Sequence, residues 1–159
     1  MKREVTGGTD EMERWNRIAL HVQAACALVE REGTWVLIKF DGLRDNGKIY
    51  TVMIDGAGDV DAIVKINSSD LEETLSKMFG NVAAATEVRA EDFAEPLRSF
   101  DLLARRAFVI SLRILREPEN LEFEVFLSQE GNAPRQSRIC GPVFKDVAAE
   151  ILRYADQMS

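Results

Sequence analysis

Two stretches of this 159-residue chain carry the same pattern of apolar positions about 73 residues apart. Trp35-Val36-Leu37-Ile38-Lys39-Phe40, a turn, then Tyr50-Thr51-Val52-Met53-Ile54 and Ile66 precede one helical stretch. Phe108-Val109-Ile110-Ser111-Leu112, a turn, then Phe123-Glu124-Val125-Phe126-Leu127 and Ile139 precede another. Few residues are identical, so the repeat lies in the hydrophobic pattern. Two copies of one supersecondary unit constrain a fold more than composition can, because each copy must bury the same faces in the same order.

The first copy opens with Met12, Trp15, Ile18, Ala19, Val22, Ala25, Cys26 and Val29, spaced three and four apart. This is an amphipathic helix with Thr9 or Asp10 as cap and Gly33 as stop. Val36, Ile38 and Phe40 then alternate with Trp35, Leu37 and Lys39, and Tyr50, Val52 and Ile54 with Thr51, Met53 and Asp55. Pairing 40 with 50, 38 with 52 and 36 with 54 puts the apolar sets on one face of an antiparallel hairpin. Its loop holds Asn46-Gly47, which supplies positive φ. A third strand follows over Asp61 to Ile66. Ser69 and Glu72 form a capping box for a helix with Leu71, Leu75, Met78 and Phe79 inward and Gly80 at its end.

In the second copy Pro96 confines a shorter helix to about 95–105, because proline lacks the backbone donor that a helix interior needs. Phe108, Ile110, Leu112 and Ile114 meet Phe123, Val125 and Leu127 when 114 pairs with 123 and 112 with 125. That register places Arg113 opposite Glu124 on the outward face. A weak strand near Gln136 to Cys140 and a helix through Val143, Phe144, Val147, Ala148, Ile151, Leu152 and Ala155 complete the unit, with Pro142 at the helix start. First strands align at an offset of 72 and second strands at 73, so the hairpin loop differs by one residue.

The expected fold is therefore α+β: two tandem helix-three-strand-helix (αβββα) units related by pseudo-twofold duplication. Four main helices lie on one face of one antiparallel sheet, or of two abutting three-stranded sheets. Residues 1–9 are expected to be a flexible N-terminus, 10–80 the first unit and 81–159 the second, the two sharing one core.

With 46% hydrophobic and 30% charged residues the composition is that of a soluble globular protein. No apolar run approaches the roughly 18 residues of a membrane span, and the first residues lack a signal-like apolar stretch, which makes cytoplasmic residence and no membrane contact the expectation. A net charge of -7 disfavours nucleic acid as a partner. Helix, three strands, helix is also the order of the double-stranded-RNA-binding fold, but the basic cluster that such a surface needs is lacking.

Catalytic constellations are absent from the pattern. His21 is the single histidine, so a triad or a histidine zinc site has nothing to be built from. No phosphate-binding glycine loop occurs. Cys26 and Cys140 are expected to be small core residues. Asp41, Asp45, Asp55, Asp59 and Asp61 crowd 21 residues, yet the hairpin register separates the first two from the last three by about 20 Å. Arg105-Arg106 suits the negative end of a helix dipole. No catalytic, cofactor-binding or metal-binding residue is expected.

The remaining candidate is the outward sheet face. Trp35, Leu37, Lys39, Met53, Asp55 and Ile63, with Thr51 and Lys65, present apolar groups inside a charged rim, the make-up of a protein-contact patch. The second unit offers Val109, Ser111, Arg113, Glu124 and Phe126, a more charged set, so the first unit is expected to make the contact. The expected function is that of a non-enzymatic, acidic, bacterial-type protein-binding protein, such as an immunity or inhibitor protein or an effector chaperone. By the sign of its net charge its protein partner is basic, and a homodimer is the other occupant of the face. Type III secretion chaperones are similar in size, acidity and helix-strand alternation, but no specific motif matches theirs and the duplicated unit departs from their pattern. The alternative is an enzyme or small-ligand-binding protein with a pocket between the units, where Trp15, His21, Tyr50 and Asp or Arg side chains converge.

Overall fold

Alternation of apolar residues is clearest over Trp35–Asp41, Phe108–Arg116 and Leu121–Gln129, and in a computed structural model describing residues 7–55, 63–129 and 135–158 six strands form one sheet. The strands are β1 (Trp35–Asp41), β2 (Tyr50–Asp55), β3 (Ile63–Ser68), β4 (Phe108–Arg116), β5 (Leu121–Gln129) and β6 (Arg135–Gly141). Every neighbouring pair is antiparallel, in the order β3-β2-β1-β4-β5-β6. The helices are α1 (Gly7–Glu32), α2 (Leu71–Phe79), α3 (Glu91–Ala104) and α4 (Phe144–Met158).

Both hairpin registers expected from alternation are present: Phe40 pairs with Tyr50, Ile38 with Val52 and Val36 with Ile54, and likewise Ile114 with Phe123 and Leu112 with Val125. The two three-stranded sets do not abut as separate sheets. They are joined through β1 and β4, with Ile38 opposite Leu112 and Phe40 opposite Ile110.

The inward rows, Val36-Ile38-Phe40, Ile110-Leu112-Ile114 and Phe123-Val125-Leu127, are buried beneath the helices. α1 packs against α2, α3 and β4, while α3 and α4 lie together over β4 and β5. Phe93 stacks on Phe144 at 4.7 Å between ring centroids, and Phe123 meets Phe93 edge-on and Phe144 at a tilt. Burying an aromatic or aliphatic side chain of this kind contributes about 1.5–3 kcal/mol, so this continuous layer is the main source of stability.

The helix termini differ from expectation at several points. α1 already runs through Thr9 and Asp10, so neither caps it, and residues 7–9 of the stretch expected to be flexible are helical; residues 1–6 lie outside the described part. Its other end is as expected: Gly33 adopts φ +73, its N–H bonds to the Val29 carbonyl, and the Arg116 guanidinium donates to the Glu30 carbonyl at 2.8 Å. α2 starts one residue later than a Ser69 cap implies. Asp70 caps it, its carboxylate accepting from the Glu73 N–H at 3.0 Å.

α3 begins at Glu91 and passes through Pro96, contrary to the expected start near 95. One internal hydrogen bond is lost there, and burial of Phe93, Ala94, Leu97 and Phe100 along the same face outweighs it. α4 starts at Phe144; Val143, expected inward, is exposed, and its carbonyl accepts from the Asp146 and Val147 N–H groups.

Gly42, just after β1, is a site of close backbone approach. A Cβ there would lie 1.5 Å from the Ala104 carbonyl oxygen, and the Gly42 N–H bonds to the Phe108 carbonyl. Only glycine lets the β1 exit pass so near the end of α3. In the first hairpin loop Gly47 has the positive φ (+80) that the Asn-Gly pair implied.

Candidate functional site

All four helices occupy one face of the sheet, which leaves the alternate side chains of every strand on an uncovered face. Strand register arranges these side chains in rows. One row runs Lys65, Met53, Leu37, Arg113, Glu124, Cys140 from edge to edge, and the next runs Asn67, Thr51, Lys39, Ser111, Phe126, Arg138.

Trp35, Leu37, Lys39, Met53 and Asp55, singled out from the sequence, share this face by register. They are half-buried, and Ile63 opens β3 opposite Asp55. The apolar first half and the charged second half of the face are continuous across the β1–β4 pair. Trp35 and Leu37 join Ser111, Arg113, Glu124, Phe126 and Arg138 around one shallow depression of about 400 Å³ that straddles the β1–β4 pair.

At its floor the Glu124 carboxylate is only 5% exposed. Oε1 receives Arg113 Nη2 at 2.8 Å, and Oε2 receives Arg138 Nε at 2.8 Å together with Arg138 Nη2. The charge-assisted bond to Glu124 raises the pKa of Arg138 further. Each guanidinium also lies over an aromatic ring, Arg113 over Trp35 at 5.9 Å and Arg138 over Phe126 at 5.7 Å. Arg113 Nε is buried with no acceptor among the described residues.

Towards the other end of β1, Asp41 draws in Lys39 Nζ at 3.6 Å and Arg44 Nε at 3.3 Å. Asn67 Oδ1 accepts from both Thr51 Oγ1 (2.7 Å) and Arg44 Nη1 (3.2 Å). Polar groups therefore frame the apolar patch of Leu37, Met53 and Trp35.

Phe126, 45% exposed, is the most open large apolar group on the strands of this face among the described residues. Arg138 was missed because β6 has little alternation of its own. Its partner residues follow only once Phe126↔Arg138 pairing is known. Cys140 is exposed on this face, not a core residue, because it stands opposite the outward Glu124. Cys26 is buried in α1, and burial pushes its thiol well above the usual range.

Two of the three groups named for a pocket between the units are core residues. Trp15 is fully buried. Tyr50 is committed to the core, its hydroxyl donating to Asp101 Oδ1 at 2.5 Å and accepting from Arg105 Nη2 at 3.2 Å. Burial, then the bond to Asp101, pushes its pKa up to about 12. His21 is half-buried, and partial burial lowers its pKa against the opposing pull of Glu72.

Arg105 binds Asp101 through Nε at 3.0 Å, a tighter role than a helix-end charge. Asp41 is ion-paired and Asp55 lies at the opposite end of the hairpin, while Asp59 and Asp61 lie outside the described residues. Among the described residues no group of His, Cys, Asp and Glu is arranged to hold a metal ion, and no helix is long and apolar enough to cross a membrane. No known family model, curated protein or solved structure matches this chain.

Proposed function

We propose that this chain is a non-enzymatic protein-binding protein of the immunity, inhibitor or effector-chaperone kind, and that it holds a heterologous protein partner on its open sheet face. The observation that carries the reading is the depression between β1 and β5, where two aromatic rings and Leu37 surround guanidiniums already fixed by Glu124. Aromatic and arginine side chains on a rigid sheet are the groups that dominate binding energy at protein interfaces. They are held by ion pairs and ring contacts before any partner arrives, which lowers the ordering cost of association.

The architecture supports descent from a duplicated αβββα unit. Pairs Ile38↔Leu112 and Phe40↔Ile110 exchange places under the 72-residue offset, and Lys39 stands directly opposite its own counterpart, Ser111. A twofold axis through the Lys39–Ser111 pair would produce this pattern. A crystal structure in which residues 36–41 and 71–79 fail to superpose jointly on 108–113 and 144–152 would contradict it.

Quantitative capture from host extract tests the function. Wild-type protein should retain a stoichiometric partner that Trp35→Asp loses by at least about tenfold, while Leu102→Asp, an exposed change on α3, retains it. Circular dichroism and thermal unfolding must show both variants folded. A partner kept by Trp35→Asp and lost by Leu102→Asp would place binding on the helices and refute the reading.

A further inference from the structure

We infer that the partner segment seated in the depression is acidic, presenting a carboxylate to Arg113 and Arg138 beside an apolar side chain on Trp35, Leu37 and Phe126. This rests on the reading of the open face as a protein-binding surface. The net charge of -7 points the other way, towards a basic partner, but net charge governs the long-range field and not the chemistry of a contact.

The face does not share the chain's acidity. Its strand positions carry four cations, Lys39, Lys65, Arg113 and Arg138, against four carboxylates, Asp41, Asp55, Glu122 and Glu124. The chain's excess of acidic over basic side chains is therefore carried elsewhere.

Inside the depression the balance is positive, with two guanidiniums to one carboxylate. Glu124 uses one oxygen for each arginine and is almost wholly covered, whereas the arginine side chains remain 39% and 53% exposed. A guanidinium has five N–H donors, and one carboxylate oxygen occupies only one or two of them. An approaching lysine would meet two guanidiniums before it could reach Glu124. An approaching carboxylate would meet free donors whose positions are already fixed, the arrangement that favours bidentate recognition. The rings beneath the guanidiniums, with Leu37, offer the adjoining apolar seat.

Fluorescence anisotropy with two labelled peptide pools tests this. Both pools have about ten residues with Leu, Phe or Trp at alternate positions, matching the period of an extended segment; the remaining positions are Asp or Glu in one and Lys or Arg in the other. At about 150 mM salt, where long-range repulsion is screened, the acidic pool should bind the full chain at least about tenfold tighter than the basic pool. Arg138→Gln should weaken acidic-pool binding by roughly tenfold with thermal unfolding unchanged within a few degrees. Equal or tighter binding of the basic pool, binding of neither, or an acidic-pool affinity that Arg138→Gln leaves intact would overturn the inference. A Trp35→Asp arm separates the two claims. Basic-pool binding abolished by Trp35→Asp refutes the acidic segment and keeps the face as the contact surface, whereas acidic-pool binding untouched by both Trp35→Asp and Arg138→Gln removes the face itself.

Discussion

Arg113 and Glu124 face each other directly across the β4–β5 ladder, and their ion pair closes at 2.8 Å over a carboxylate that solvent scarcely reaches. Glu124 also carries Arg138, so neutralising it leaves two guanidiniums facing one another. Glu124→Gln should cost about 1–3 kcal/mol in urea unfolding. A double-mutant cycle with Arg138→Gln should show coupling of about 0.5–2 kcal/mol; additive losses would mean that the pair contributes nothing to stability.

The Tyr50–Asp101 bond predicts a pH dependence. The folded phenol holds its proton up to about 12, whereas an ordinary tyrosine releases it near 10.0. Between these values the unfolded chain binds fewer protons than the folded one, so stability falls as pH rises, and the contribution is fully present below the lower value. By about pH 11 wild type should lose about 1 kcal/mol more, relative to pH 8, than Tyr50→Phe. Parallel curves for the two proteins in guanidinium unfolding would contradict this.

At Gly42 any side chain meets the Ala104 carbonyl, which is backbone and can move only with the end of α3. Gly42→Ala should destabilise by at least about 2 kcal/mol, as overpacking against a fixed group does. A thermal midpoint equal to wild type would show that the β1 exit relaxes freely.

Ala107 follows α3 at φ +68, in the left-handed region where a Cβ is disfavoured. Ala107→Gly should therefore stabilise the protein by up to about 1 kcal/mol, the relief of the folded state exceeding the added freedom of the unfolded chain. A clear loss of stability would indicate that the methyl group packs to advantage.

The sequence made the hairpins legible because period-two alternation allows only one register that buries both apolar sets. Nothing local specifies that β1 pairs with β4, and the continuity of the open face depends on that long-range pairing. Hence Trp35 and Arg113 looked like members of different surfaces, although one lies over the other. The Asp101 network escaped notice too. A signal was available, since Asp101 falls on the apolar stripe of Leu97, Phe100 and Ala104 with Arg105 four residues on, but its partner Tyr50 lies 51 residues away on another element. Pro96 misplaced the start of α3 because a rule about one lost hydrogen bond was weighed without the aromatic burial that opposes it.

Site-specific photo-cross-linking in the native host tests the central claim most directly. Phe126→p-benzoylphenylalanine on the open face and Leu102→p-benzoylphenylalanine on α3 are almost equally exposed, at 45% and 46%, so chance encounters should label both alike. The account predicts one discrete protein adduct from position 126 and none from position 102. An adduct from position 102 alone, or identical adducts from both positions, would contradict it.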